Sequence, residues 1–139
     1  MKNKNAYILF IIISPFFTSC QDDECYRPWN CYDEEPDGAT MDIEVTINDE
    51  NPAVKVVVYD GVYEDDRVRE ELILRSRYEE VFLPEGQYSA VAFYKRGKDS
   101  IMAIDGGRVK ITYWSCEDST GTLEDECYKV RSSTLNLKL

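Results

Sequence analysis

From residue 41 onward, apolar and polar side chains alternate. In "MDIEVTI", Met41, Ile43, Val45 and Ile47 fall on one face and Asp42, Glu44 and Thr46 on the other. A period of two marks a strand with one buried face. "AVKVVVY" reads as a second strand, rich in β-branched valine and closed by Asp60-Gly61. Residues 67–75 suit strand or helix; a helix would present little apolar surface beyond Val68 and Leu72, so a strand is expected. "YEEVFLPEGQYSAVAFYKRGKD" predicts a hairpin with its turn at Pro84-Glu85-Gly86. "SIMAI", "DGG" and "RVKITYW" predict a second hairpin turning at Asp105-Gly106-Gly107. "CYKV" and "TLNLKL" supply the last strands, with Leu135, Leu137 and Leu139 on one face. The expectation is an all-β domain over residues 41–139, a seven- to eight-stranded antiparallel β-sandwich.

The N-terminus follows another pattern. Lys2 and Lys4 precede an apolar run over residues 6–13, extended by Phe16 and Phe17. A membrane-spanning helix needs about 20 apolar residues, so the run reads as an export signal. Cleavage before Cys20 puts Ser19 in the last position but bulky Phe17 in the third-last. "FTSC" therefore resembles a loose bacterial lipobox more than an A-x-A site. The resemblance implies a lipoprotein signal peptide at 1–19 and Cys20 acylated as the first mature residue. "QDDE" (Gln21, Asp22, Asp23, Glu24) resembles the acidic export tag of surface lipoproteins in Bacteroidota-type bacteria. That implies a protein lipid-anchored at the outer membrane and exposed on the cell surface. The competing reading is a plain secreted protein with Cys20 free or paired.

The chain has five cysteines: Cys20, Cys25, Cys31, Cys116 and Cys127. Lipidation of Cys20 leaves four, in an oxidising compartment where disulfides persist. Three pairings are possible. Cys25–Cys31 and Cys116–Cys127 are expected because both are local and each brackets a turn-rich loop. Zinc is disfavoured, since the chain has no C-x2-C pair and no histidine. Residues 20–40 are acidic and poor in aliphatic side chains, and read as a tether with a local disulfide loop.

Loss of residues 1–19 removes Lys2 and Lys4, leaving 14 basic against 27 acidic side chains, a formal charge of −13. Such a balance argues against a nucleic-acid partner. Without histidine, no Ser-His or Cys-His nucleophile pairing exists. Glu79-Glu80 and Asp65-Asp66 sit beside turns and read as solvated acids, so an enzyme is not expected. Asp33, Glu35, Asp37, Gly38 and Glu44 fall at positions 1, 3, 5, 6 and 12 of an EF-hand-like loop. Calcium is thus a candidate cofactor through Asp33, Asp37 and Glu44, although Pro36 stiffens the loop and Glu44 lies in a strand. The acids around "DGVYEDD" and "EDSTGTLEDE" are looser oxygen-rich sites. Trp29 and Trp114 flank the cysteine loops and are candidate ligand contacts, against a bland reading in which they cover the ends of a small core.

"LPEGQY", within residues 81–92, resembles the strand-turn-strand of transthyretin-like or collagen-binding B-type sandwich modules. The resemblance implies a transthyretin-like or Ig-like sandwich and a spacer, stalk or binding role. With "VYDG", "AFYKRGK", "AIDGGRVK" and "LNLKL" it also resembles small Bacteroidota lipoproteins, which bring no active site to carry over. The functional expectation is a lipid-anchored envelope protein acting as a binding or structural accessory module, with a protein or glycan partner. The alternative is a carbohydrate- or calcium-linked adhesion module.

Overall fold

The computed structural model describes residues 26–117 and 120–139. Nine strands follow in order: β1 (Cys31–Tyr32), β2 (Ala39–Val45), β3 (Val54–Asp60), β4 (Val68–Leu74), β5 (Tyr78–Leu83), β6 (Gly86–Arg96), β7 (Asp99–Glu117), β8 (Leu123–Ser132) and β9 (Leu135–Leu137). A 3-10 turn, Tyr63–Asp65, precedes β4. The strands form two sheets, ordered β1-β8-β7-β6-β3-β4 and β5-β2-β9, packed as a sandwich. All pairings are antiparallel except β2 with β9.

The alternating segments bury the face that the sequence assigns them. Met41, Ile43 and Val45 of β2 meet Val54, Val56 and Val58 of β3, and all six are at most 1 % exposed. Leu135 and Leu137 close the core from β9. Residues 68–74 are a strand, as expected. Ala39 already belongs to β2 and Gly38 is buried, so the domain begins before residue 41. A Cβ on Gly38 would lie 2.3 Å from the Leu83 carbonyl oxygen, which reserves that position for glycine.

Both expected hairpin turns are placed differently. Pro84-Glu85 does not fold β5 back on β6; it carries the chain from the small sheet to the large one. Leu83 and Tyr88 both face the core, but from opposite layers. Inward alternation is the same for a hairpin and for a corner between sheets, so the pattern could not separate them. The Tyr88 hydroxyl donates to the Pro84 carbonyl at 2.8 Å and holds the corner. Asp105-Gly106-Gly107 is not a turn either. β7 runs straight through it, pairing with β6 over 99–109 and with β8 over 109–117. A Cβ on Gly107 would come within 2.9 Å of the Ser133 side chain and 3.2 Å of Leu135, so glycine here lets β9 approach. The true hairpin is the two-residue Gly97-Lys98 loop, with Gly97 at φ +63°.

Tyr94 of β6 is 1 % exposed and spans the two layers. Its hydroxyl donates to the Leu137 carbonyl at 2.6 Å and accepts from the Thr46 amide at 2.9 Å. Tyr94→Phe leaves both backbone groups without that partner. The expected loss is about 1–3 kcal/mol. Thermal unfolding should then show Tm lower by roughly 4–8 °C for each kcal/mol in a domain near 100 residues. An unchanged Tm would show that the bridge contributes nothing.

Candidate functional site

Beyond the Ile111–Val130 pair the β7–β8 hairpin leaves the core as an arm, and β1 joins its outer edge. The cysteine pairing differs from the expected one. Cys31 is bonded to Cys127, with Cα atoms 5.5 Å apart, so neither Cys25–Cys31 nor Cys116–Cys127 forms. The hairpin register explains why. Cys127 faces Trp114 and Cys116 faces Asp125, so the two hairpin cysteines are not a directly opposed pair. Cys116 is also disulfide-bonded. The remaining cysteines, Cys20 and Cys25, lie outside the described residues, as do Gln21 to Glu24.

The expected tether is correspondingly shorter than residues 20–40. Cys31 and Tyr32 pair with Lys129 and Tyr128 of β8, and Asn30 Nδ2 donates to the Val130 carbonyl at 3.4 Å. Arg27 bridges Asp33 and Asp125. A covalent long-range link supplies the order that burial could not, which local composition does not reveal.

The calcium candidates do not converge. Asp33 is engaged by Arg27, Glu44 pairs with Lys138, and Gly38 is packed beneath Leu83 rather than in a turn. Among the described residues no three His, Cys, Asp or Glu side chains are grouped to hold a metal ion. Trp29 is 93 % exposed. One face of Trp114 is covered by the Lys129 ammonium, 4.7 Å from the ring centroid. On the opposite face of the arm, Tyr113 packs edge-on to Tyr128 at 5.6 Å and donates to Glu126. That hydrogen bond favours the neutral phenol and raises the Tyr113 pKa above its ordinary value.

A groove at the base of the arm is the site that the sequence reading missed. Three adjoining depressions cross the end of β3, the start of β6, the middle of β7 and the end of β8. The middle one, ≈ 510 Å³, shares Gly61, Gln87 and Tyr88 with one neighbour and Arg108 and Ser133 with the other. Gly61, Gly86, Gly106 and Gly107 line it, leaving backbone uncovered. So do five cations: Arg67, Arg69, Arg108, Lys110 and Arg131. Arg67 and Arg69 are held by Asp65 and Asp60, the latter through two contacts at 3.0 and 3.3 Å. Arg108, Lys110 and Arg131 have no acidic partner among the described residues. The two acids in the lining are both committed: Asp60 to Arg69, and Glu85 to the Ile111 amide at 3.1 Å. Ser89 is 7 % exposed and its Oγ has no hydrogen-bond partner. Burial raises the Tyr88 pKa, partly offset by Arg69, so its phenol stays a neutral donor.

The signal was present in "RVKITYW" and "CYKVRS". Alternation puts Arg108 and Lys110 on one face of the first and Lys129 and Arg131 on one face of the second. Only the pairing of β7 with β8 brings the two sets together.

Non-reducing peptide mapping should yield a Cys31–Cys127 cross-link. Replacing both residues by Ser should cost about 2–5 kcal/mol, toward the upper end because the bond spans 96 residues. A map joining Cys116 to Cys127 would overturn the register argument.

Comparison with known proteins finds no matching family model, no matching curated protein and no matching solved structure.

Proposed function

We propose that the protein is a lipid-anchored module of the bacterial outer envelope, displayed at the cell surface, which binds rather than catalyses. Its ligand site in this reading is the groove at the base of the arm. The supporting observation is the cysteine count. Cys31 and Cys127 share one bond and Cys116 belongs to another, so one of five cysteines is left over. Acylation of Cys20 after the lipobox-like "FTSC" takes up that residue and makes Cys25 the partner of Cys116. The resemblance of "LPEGQY" to transthyretin-like or collagen-binding B-type modules fits a binding or accessory role on a sandwich frame. Several acyl chains would hold the module firmly, since each buried CH2 contributes about 0.8 kcal/mol.

The anchor then lies close to the arm. Ten residues lie between Cys20 and Cys31, a reach of roughly 40 Å when fully extended. A Cys25–Cys116 bond would shorten that to roughly 18 Å. Of the adhesion alternatives, the carbohydrate form fits the groove, whereas the calcium form finds its proposed ligands apart.

Metabolic labelling with a fatty-acid analogue should tag the wild type and not Cys20→Ser. A labelled Cys20→Ser would end the lipoprotein reading. Protease added to whole cells should cleave the wild type. Replacement of Asp22, Asp23 and Glu24 by Ala should keep the label and remove that cleavage; persistent cleavage would discard the export-tag role.

A further inference from the structure

We propose that the groove binds a linear acidic polysaccharide, with successive carboxylate or sulfate groups seated against Arg108, Lys110 and Arg131. The inference rests on the binding-module reading and names its ligand class.

Charge placement carries it. Lys110 and Arg131 are directly opposed across the β7–β8 ladder, and alternation puts Arg108 on the same face two residues before Lys110. Like charges in that position destabilise a sheet. Here none of the described acids forms an ion pair with the three, in a chain where acidic side chains outnumber basic ones by 27 to 16. A local rule broken without compensation marks a functional position. The natural compensation is an external anion, and guanidinium groups match carboxylate and sulfate oxygens in a two-pronged geometry.

The shape of the groove selects the carrier. Its three free cations border one depression at the end of β8, and Arg108 also borders the middle depression, so a chain with anions seated at the first can continue into the second. An extended peptide gains affinity by adding to a free strand edge, and that edge is taken. The Arg108 amide donates to Ser133 Oγ at 3.2 Å, the Ser133 amide donates to the Arg108 carbonyl at 3.1 Å, and the Asn136 amide donates to Asp105 Oδ2 at 2.7 Å. What the neighbouring depression offers instead is the neutral Gln87 side chain and backbone left bare by Gly61, Gly106 and Gly107. A hydroxyl-rich sugar ring can use the amide, and the glycines let it approach the backbone. Trp29 stands near the far end, one residue before Asn30, whose side chain bonds Val130 beside Arg131.

The test uses the full-length protein in detergent at low salt, against polygalacturonate, dextran sulfate, neutral dextran and polyglutamate. Binding to polygalacturonate or dextran sulfate is expected, the stronger of the two identifying the anion, with neither dextran nor polyglutamate competing. The triple variant Arg108→Gln, Lys110→Gln, Arg131→Gln should lose at least tenfold in affinity while its Tm holds or rises, because the opposed charges are gone. A merely structural role for these cations would lower Tm instead. Equal binding by the triple variant overturns the proposal. Tight binding of polyglutamate alone overturns the sugar and leaves the binding-module reading standing. Failure of every acidic probe removes the groove from both.

Discussion

The hydroxyl of Tyr94 holds the sandwich in register. It comes from β6 in the large sheet and satisfies one backbone group after β2 and one in β9. The core contacts between the two layers are otherwise mostly apolar, and such contacts do not by themselves fix one lateral position. Fixing β9 has a second effect. It sets Ser133 and Leu135 against Gly107 in the middle of β7, close to where the strand exchanges one partner for another. The groove is thus a product of core geometry: its floor is the place where β9 presses on a glycine.

Electrostatics then separates this floor from the rest of the surface. Most ion pairs in the described structure are exposed Lys or Arg matched with nearby acids, such as Lys55 with Glu71 and Lys138 with Glu44. Pairs of that kind contribute little to stability. Arg108, Lys110 and Arg131 make no such pair and border one depression. A polyanion approaching so acidic a chain is repelled except where such a cluster is concentrated.

Period-two alternation was legible wherever one face is buried and the other solvated. β2 and β9 follow it, β3 does so apart from buried Val57, and β4 was expected as a strand only because a helix would present little apolar surface. Strand partners were less legible. "LPEGQY" has the turn chemistry of a hairpin, yet Pro84 begins a change of layer, a distinction held in the pairing of β5 with the distant β2 and of β6 with β3. "DGG" has the composition of a turn, yet its second glycine answers a packing demand from β9. Cysteine spacing favoured short loops, whereas the bond formed spans most of the domain. The groove cations were visible as alternating residues in two separate segments, but their meeting depended on a register that neither segment encodes alone.

The Cys31–Cys127 bond also decides where mechanical load travels. A pull on residues 26–30 enters β8 through a covalent link and passes on to β7 through the β8–β7 ladder. Were the bond reduced, the same pull would reach Ala39 and peel β2 from between β5 and β9, taking the centre of the small sheet with it. The cystine therefore works as a strain relief, routing force around the core of the sandwich and into an arm that buries little of it.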